Sequence, residues 1–431
     1  MKKTRKKKRG RGLVFFLFFL IIVLLGLGTW QMFNVLSEEK KLAEQEAEET
    51  PSPSIVIEET TPDPEPEPVK EVKLMAVGDN LIHTAVWNAG RKDDGSHDRR
   101  VLYKHIKKYL KESDLKIINQ ETILGGDDKG LQDYPLFNTP TEMGDVLVDV
   151  GFNVIQHSSN HSLDMGQKGI INCATYWEEK HPEITVLGIY KDPSEQSEIT
   201  VLEKNGITFA LLNYSYSHNA LTFSTYAEGY MDMLCAYDEN TREIDFDTIH
   251  PQVLKDIERA EELADFTIVM PHWGVEYTTT PTDQEYRFAK LMTEAGADLI
   301  IGTHPHVCQP VEWVEASNGN KALCYYSLGN FTSAQNGIAQ MLGAVASLTI
   351  IQDEAGTYID EESIKAVPVV THFVYPGWSG STVVKTTYLL KDYTKELAAK
   401  HGLKNAWGIT LTTSKLNELA EDIFGEYLSM E

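Results

Sequence analysis

The chain has 431 residues, of which 42% are hydrophobic, and its formal net charge is −25 at pH 7. This length and apolar content suffice to bury one or two large cores, which excludes a disordered protein. The strongly acidic balance argues against nucleic acid as a partner, because phosphate backbones are bound through positive charge.

The N-terminal segment has the pattern of a membrane anchor. Residues 1–12 carry eight Lys or Arg and no acidic residue, and residues 13–29 are almost wholly apolar. Such a run can span a bilayer as a helix, with Trp30 and Phe33 at the far interface and the basic flank in the cytoplasm. A cleaved signal peptide is the alternative, although its apolar core is usually shorter. We predict a single-pass protein of the cell membrane, with a cytoplasmic tail before a signal anchor over residues 13–33 and an extracellular main domain.

Residues 34–70 are rich in Glu and Pro and poor in apolar residues, so we predict a disordered linker that holds the main domain away from the membrane. The positive excess of residues 1–12 offsets the acidic excess of residues 13–70, and residues 71–431 therefore carry the whole charge of −25. An anionic substrate would be repelled from such a surface unless bound cations reverse the sign locally. The charge therefore favours a metal site.

The four cysteines indicate neither a disulfide framework nor a zinc site. Cys173, Cys235, Cys308 and Cys324 show no C-x-x-C or other framework spacing. We expect mostly buried thiols.

After the linker, the first two predicted strands each end in a carboxylate. A strand over residues 72–77 leads to Asp79, and a second over residues 115–118, after a helix predicted for residues 100–113, leads to Glu121. Ligands bind at the carboxyl edge of an α/β sheet, so both side chains are candidate metal ligands. For Asp79 the structural alternative is an Asx-turn or a helix N-cap.

The third predicted strand, over residues 153–156, leads into the densest polar cluster of the sequence. Asn160 offers an amide oxygen to a metal. His161 is a candidate general acid, with Asp164 holding its other ring nitrogen. The structural alternative is a capped loop before a helix near residues 167–180.

A β-hairpin predicted for residues 199–216 changes the topology to a mixed sheet or to a second stacked sheet. Residues 217–247 have no clear period and are either a loop that covers the substrate or a disordered insertion. Further strands and terminal helices follow residue 306, and none of the terminal helices carries a catalytic signal.

Two further strands end in imidazoles. The strand over residues 266–270 leads to His272, and the strand over residues 297–301 leads to His304 and His306. Extended residues at i and i+2 point to one side, so the last two histidines are expected to share an ion or to bind neighbouring ions. An H-x-H pair alone is a weak signal, and two surface histidines in a turn are the alternative.

The candidate metal ligands all follow strand ends: Asp79, Glu121, Asn160, His272, His304 and His306. Oxygen and imidazole ligands without thiolate favour one or two divalent transition-metal ions, Mn, Fe or Zn, over Ca or Mg. Two such ions about 3.5–4 Å apart suit displacement at a phosphoryl-type centre and activate water without a Ser or Cys nucleophile. Hydrolysis is therefore the predicted chemistry, with His161 protonating the leaving group.

These residues belong to six ordered motifs within about residues 72–335: Gly78-Asp79, Asn119-x-Glu121, Asn160-His161-x-x-Asp164-x-Gly166, His272-x-Gly274-x-Glu276, Gly302-x-His304-Pro305-His306 and Ser327-Leu328-Gly329-Asn330-Phe331. In this order they resemble the CapA family of capsule synthesis proteins, which is similar to a branch of the calcineurin-like metallophosphoesterases. The resemblance implies an α/β fold arranged as a four-layer α/β/β/α sandwich, metallophosphoesterase-like, over residues 71–390. A C-terminal helical extension is predicted for residues 391–431.

The resemblance also implies roles for individual residues. The six candidate ligands fall on metal-ligand positions and His161 on the general-acid position, while Glu276 and Asn330 are predicted to contact the substrate. The chain departs from the wider phosphoesterase pattern at Leu81, where that pattern has a histidine, and at Glu121, where it has an aspartate. One of two metals would then be held loosely or be absent.

Two main hypotheses for the function follow. In the first, the chain is a metal-dependent hydrolase or transferase in the production, export or attachment of poly-γ-glutamate or another envelope polymer. In the second, it is a non-catalytic accessory subunit that binds the anionic polymer or a membrane synthase. A generic exported metallophosphatase is a third possibility.

Overall fold

The computed structural model describes residues 69–375 and 383–431. The predicted cytoplasmic tail, the predicted transmembrane anchor and nearly all of the predicted linker lie outside these residues. The linker is predicted to extend to residue 70, whereas the first strand already begins at Lys70. No helix within the two described ranges is long and apolar enough to cross a membrane.

Strands make up most of the regular structure. They are β1 (Lys70–Asn80), β2 (Leu115–Asn119), β3 (Val154–Gln156), β4 (Thr185–Leu187), β5 (Thr200–Lys204), β6 (Ile207–Ser215), β7 (Cys235–Tyr237), β8 (Ile244–Ile249), β9 (Phe266–His272), β10 (Leu299–Ile301), β11 (Val311–Glu315), β12 (Lys321–Tyr325), β13 (Asn330–Thr332), β14 (Leu342–Asp353), β15 (Gly356–Ile359), β16 (Lys365–Val374) and β17 (Val383–Leu389).

The α-helices range from one turn to four turns. They are α1 (Thr84–Trp87), α2 (Lys107–Leu110), α3 (Glu142–Val150), α4 (Gly166–Lys180), α5 (Pro251–Leu263), α6 (Asp283–Ala295), α7 (Ile338–Met341), α8 (Lys395–Lys400), α9 (Leu403–Trp407) and α10 (Thr413–Phe424). Short 3₁₀ helices cover Arg99–Tyr103, Asp127–Lys129, Pro193–Glu195, Glu361–Ser363, Leu390–Asp392 and Gly425–Tyr427.

Two large sheets form the body of the domain, which is therefore a mixed α/β fold. The first sheet has nine strands in the order β17-β16-β14-β1-β2-β3-β4, with β13 paired to β1 and β15 to β14. Its strands β1 to β4 are parallel, and β14, β16 and β17 extend it in antiparallel fashion. The second sheet has six strands in the order β11-β12-β10-β9-β6-β5, and β7 pairs with β8 in a separate small sheet.

The central strands carry apolar runs because both of their faces are covered. In β1, every residue from Leu74 to Asn80 is buried, and β9 is buried throughout. Strand β6 contacts β1 and β4 of the first sheet, while α5 and α6 pack on strands of the second sheet. The two sheets are thus held together at β6, and parallel strands in both sheets deliver their carboxyl ends to a common edge.

The predicted hairpin over residues 199–216 is confirmed. Strands β5 and β6 pair in antiparallel fashion around Asn205 and Gly206, which both have positive φ angles, 51° and 81°. This conformation suits a two-residue hairpin turn. Residues 217–247 contain β7 and the beginning of β8, so the alternative of a disordered insertion is wrong.

The single helix predicted for residues 100–113 is wrong. The structure has the 3₁₀ helix Arg99–Tyr103 and then the one-turn helix α2. The buried Arg99 side chain donates to the Trp87 carbonyl at 2.7 Å, and the Tyr103 hydroxyl donates to Asn80 Oδ1 at 2.8 Å. These tertiary contacts decide the local path and override the helical periodicity.

The predicted C-terminal helical extension packs on the domain through α8, α9 and α10. Leu403, Leu416 and Phe424 are buried, and the Ser429 amide donates to the Ala366 carbonyl at 3.0 Å. The four cysteines are buried and free, as expected from their spacing.

A glycine at the end of β10 allows three segments to meet. A Cβ atom on Gly302 would lie 1.9 Å from the Tyr326 carbonyl oxygen and 2.5 Å from Trp273 Nε1. Both distances are far below van der Waals contact, and the carbonyl belongs to the backbone and cannot rotate away. Glycine is therefore required by packing at the position that precedes the two histidines.

We predict that Gly302→Ala lowers the free energy of unfolding by about 2–3 kcal/mol, because the new methyl group must displace backbone. Urea unfolding of the full chain measures this loss. Gly319→Ala is the matched control, because its Cβ would meet nothing within 4 Å and only its φ of +94° is unfavourable. We expect the control to lose about 1 kcal/mol. Equal losses in the two variants would contradict the packing argument.

Candidate metal centre

The carboxyl ends of five strands, three from the first sheet and two from the second, converge on one edge. These strands are β1, β2, β3, β9 and β10. Hydrogen bonds cross between the sheets there, and the shortest to the predicted ligands place His306 Nδ1 2.9 Å from Asp79 Oδ2 and His272 Nε2 2.9 Å from Asn160 Oδ1. The structure thereby brings all six predicted metal ligands together at one buried edge.

The two histidines after β10 do not have the predicted extended backbone. His304 has a φ of 99° and His306 a φ of 59°, which is the left-handed region that non-glycine residues rarely adopt. Their side chains therefore do not reach one site by the alternation of a strand. Both are buried, at 2% and 1% exposure, and the strained backbone turns each imidazole into the cluster.

Asp79 connects these segments through both of its oxygens. Oδ1 accepts from Asn119 Nδ2 at 2.8 Å and from the His304 amide at 3.3 Å, while Oδ2 contacts His306 Nδ1. Its partners lie 40 or more residues away, and α1, the next helix, is preceded by His83 and has no side-chain cap. The structure therefore does not support the Asx-turn or N-cap alternative.

Glu121 is fully buried, and neither carboxylate oxygen has a hydrogen-bond partner within the described residues. Two imidazole nitrogens lie near Oε1, His306 Nε2 at 3.6 Å and His272 Nε2 at 3.9 Å. Burial raises the pKa of Glu121 well above its ordinary value, and the neighbouring charge of Asp79 acts in the same direction. A buried carboxylate with both oxygens free requires a cation or a proton.

The imidazoles divide into two electrostatic types. Burial, and then the neighbouring imidazoles, lowers the pKa of His272 and of His304 well below the ordinary value, so both are neutral near pH 7. Burial also lowers the pKa of His306, but the carboxylates of Glu121 and Asp79 outweigh it and raise the pKa to about 9. Neutral imidazole is the form that binds metal, and the proton on His306 occupies a position where a cation would be favourable.

The donor atoms of these residues fit divalent metal ions. Three groups have ligand atoms within 4.8 Å of one another: Glu121 with His272 and His304, Asp79 with Glu121 and His306, and Glu276 with His304 and His306. The free oxygens of Glu121 and the free Nδ1 of His304 are the orphaned atoms that a metal would satisfy. The donor set, oxygen and imidazole without thiolate, suits Mn, Fe or Zn.

The predicted general acid and its carboxylate partner are also in contact. His161 Nδ1 lies 2.6 Å from Asp164 Oδ2, which also accepts from the Phe137 amide at 2.7 Å. The Phe137 ring and the imidazole pack nearly perpendicular to each other, with the ring centroids 4.7 Å apart. Asp164 therefore holds one ring nitrogen and leaves Nε2 as the atom for proton transfer.

The two residues predicted to contact the substrate occupy different environments. The Glu276 side chain is 42% exposed, and its Oε1 lies 3.9 Å from His306 Nε2, within the metal-ligand cluster. Asn330 is fully buried, and its amide donates to the His306 carbonyl at 3.1 Å and to Gln335 Oε1 at 2.8 Å. The Asn330 amide nitrogen therefore supports the His306 backbone, and a contact of this side chain with the substrate stays a prediction.

Four further residues at the site were not predicted as functional. Asn119 and Thr303 bond to ligands from strand ends, with Thr303 Oγ1 3.0 Å from His272 Nδ1. Asn219 Oδ1 accepts from Asn160 Nδ2 at 3.1 Å, and the Tyr216 ring lies 4.6 Å from the His304 ring. The first two follow apolar runs and could have been found by that signal. Tyr216 is the last residue of the predicted hairpin and follows β6, whereas Asn219 lies outside any periodic pattern, in the segment 217–247.

Comparison with known proteins places these motifs in a family. Residues 73–335 match the family model described as "Bacterial capsule synthesis protein PGA_cap". The chain is 26% identical over 261 residues to the "PGA biosynthesis protein CapA" of Bacillus subtilis (strain 168), a match that covers 60% of this chain and 61% of that protein. It is 27% identical over 238 residues to the "Capsule biosynthesis protein CapA" of Bacillus anthracis, with 54% of each chain covered. The chain thus spans less than two thirds of either relative.

Similarity to solved structures is weaker. A hypothetical protein from Thermus thermophilus aligns over 69% of this chain and 99% of its own, with 13% identity and a TM-score of 0.38. The sulfate thiohydrolase SoxB of the same species, in complex with glycerol, aligns over 74% of this chain and 44% of its own, with 11% identity and a TM-score of 0.33. At these TM-scores the similarity is too weak to indicate a substrate.

We predict that the metal-free chain loses about 3 kcal/mol of stability through His306 as the pH rises from 6.5 to about 9. The pKa of His306 is about 9 in the folded chain, above the ordinary 6.5. Its contribution is therefore complete below pH 6.5 and is lost as the pH rises through 9. Urea unfolding in excess chelator, across this pH range, measures the slope.

The comparison variant is His306→Ala, whose stability should fall less steeply over the same range. Its absolute stability will differ because a buried ring is lost, so only the slope is informative. His181→Ala, at the end of α4, controls for general effects of removing a histidine. Parallel curves for the wild type and His306→Ala would contradict the prediction.

Proposed function

Since the chain belongs to the PGA_cap family of bacterial capsule synthesis proteins, also called the CapA family, we propose that it is a metal-dependent hydrolase or transferase of an envelope polymer. The polymer we propose is poly-γ-glutamate or a related anionic chain, and the role lies in its production, export or attachment. The name PGA biosynthesis protein, carried by a relative, supports this choice of polymer.

The observation that carries the proposal is the buried cluster around Glu121. A carboxylate with two free oxygens, next to two neutral imidazoles and one protonated imidazole, is costly unless cations are bound. Divalent ions bound there would supply Lewis-acid chemistry and a water nucleophile near neutral pH. They would also reverse the sign of the charge locally, on a chain whose net charge is −25, and so admit an anionic polymer.

The chain's own residues supply the remaining chemistry. Asp164 orients the His161 imidazole through Nδ1, so Nε2 can donate a proton to the leaving group. The Phe137 ring packs on one side of this imidazole and would exclude water there. Asn160, the preceding residue, bonds to His272 through its amide oxygen, and this contact joins the acid to the metal-ligand cluster.

The setting of the domain is also part of the proposal. We propose that residues 13–33 anchor the chain in the cell membrane and that residues 34–70 act as a linker, which would place the domain outside the cell. Within it, the two sheets with helices on their outer faces would form the four-layer sandwich of a metallophosphoesterase-like fold. Partners would then be the membrane, the anionic polymer and the subunits of its membrane synthase.

We predict that His161→Ala lowers turnover about 10²–10⁴-fold, because the leaving group loses its proton donor, while metal content is unchanged. Two assays measure turnover: hydrolysis of a dialkyl phosphodiester, whose alkoxide leaving group needs a proton, and shortening of poly-γ-glutamate, monitored by gel filtration. Elemental mass spectrometry measures the metal. His181→Ala is the control.

Full activity in His161→Ala would refute the assigned role of His161. A wild-type chain that binds metal but turns over neither probe would favour the accessory subunit that binds polymer or synthase. Hydrolysis of small phosphodiesters without any effect on the polymer would favour a generic metallophosphatase.

A further inference from the structure

We propose that Glu276 is a metal ligand and that, with His304 and His306, it holds a second divalent cation at the open side of the cluster. This inference rests on the proposed metal-dependent function and deepens it. It replaces the predicted role of Glu276 as a substrate contact.

The ligand atoms of Glu276 and His306 are close enough to bind one ion. Glu276 Oε1 lies 3.9 Å from His306 Nε2, and the ligand atoms of Glu276, His304 and His306 all lie within 4.8 Å of one another. Two ligand atoms that are each about 2.0–2.2 Å from one ion are at most about 4.4 Å apart. The Glu276–His306 separation is therefore compatible with a shared ion without movement of the backbone.

The candidate ligands can be divided between two ions. His304 and His306 each occur in two of the three groups of ligand atoms. Because an imidazole nitrogen binds one ion at a time, each of these histidines can serve only one of its two groups. Glu121 and His272, with the Asn160 oxygen beside His272 Nε2, can hold a deeply buried ion. Asp79 accepts from His306 Nδ1, which leaves His306 Nε2 facing Glu276. A carboxylate that orients a metal-binding imidazole in this way is common in metal sites.

A backbone hydrogen bond holds the loop after β9 against the loop that carries the two histidines. The Tyr277 amide donates to the Pro305 carbonyl at 2.8 Å, between the two histidines, and Tyr277 has a φ of 67°. A non-glycine residue in this region stores strain, which persists only where neighbouring contacts impose it. The backbone therefore fixes Glu276 next to the histidine loop.

Glu276 differs from the other candidate ligands in the solvent exposure of its side chain. Every other candidate ligand is at most 2% exposed, whereas the Glu276 side chain is 42% exposed. Two residues after Asp79, just past the end of β1, stands Leu81, which is buried and offers no ligand atom. Glu276 would supply the missing ligand from the second sheet, on the side from which a substrate enters.

The test compares Mn²⁺ binding by the full chain and by Glu276→Ala. Elemental mass spectrometry counts bound ions after gel filtration, and the electron paramagnetic resonance signal of free Mn²⁺ gives the affinities. We expect two ions in the wild type, and in Glu276→Ala either one ion or a second affinity at least about tenfold weaker. Glu276→His should restore the second ion, because imidazole is also a ligand.

Glu262→Ala is the matched control, because it removes the same charge from an exposed position on α5. It should bind two ions with wild-type affinity. Two ions with unchanged affinity in Glu276→Ala would overturn the inference, as would equal weakening in Glu262→Ala. No ion in the wild type would overturn both this inference and the proposed function. Turnover by the wild type with unchanged Mn²⁺ binding in Glu276→Ala would overturn the inference alone.

Discussion

The hydrogen bond between Asp79 and His306 joins the ends of a strand from each sheet and determines the chemistry of the edge between them. Asp79 lies near the carboxyl end of β1, and His306 lies in the loop that follows β10. With Glu121 nearby, two carboxylates lie close together in a space without solvent, and they raise the pKa of His306. A cation at this edge would relieve the same imbalance, so the charge of the site and its predicted metal dependence have one physical cause.

Tight backbone packing surrounds this interaction. Gly302 lies directly against the Tyr326 carbonyl, and a Cβ on Gly78 would lie 2.0 Å from the Gly329 carbonyl oxygen. Beyond these close approaches, His304, His306 and Tyr277 adopt left-handed backbone conformations. Strain of this kind is stable only where the surrounding structure imposes it, and here the two packed sheets do so. The ligands are therefore preorganised by the fold, which lowers the cost of binding a cation.

Most of the strands, and the motifs at their ends, could be predicted from sequence because apolar runs and turn residues are local signals. The Asn205-Gly206 hairpin is one example, and the strand that ends at His272 is another. The helix over residues 100–113 was predicted wrongly because the Arg99 and Tyr103 side chains bond to residues distant in sequence. The contribution of Asn219 could not be predicted, since no periodic pattern links it to the strand ends.

The sequence by itself determined which residue types follow the strands, because hydrophobic periodicity and chain order are local properties. It also determined the acidic charge of the chain and the order of the six motifs that mark its family. The tertiary structure alone decided how those residues meet. It turned His304 and His306 inward through left-handed backbone, buried Asn330 behind them and left Glu276 at the opening. These outcomes depend on tertiary contacts, and the one between Asp79 and His306 joins residues that are 227 positions apart.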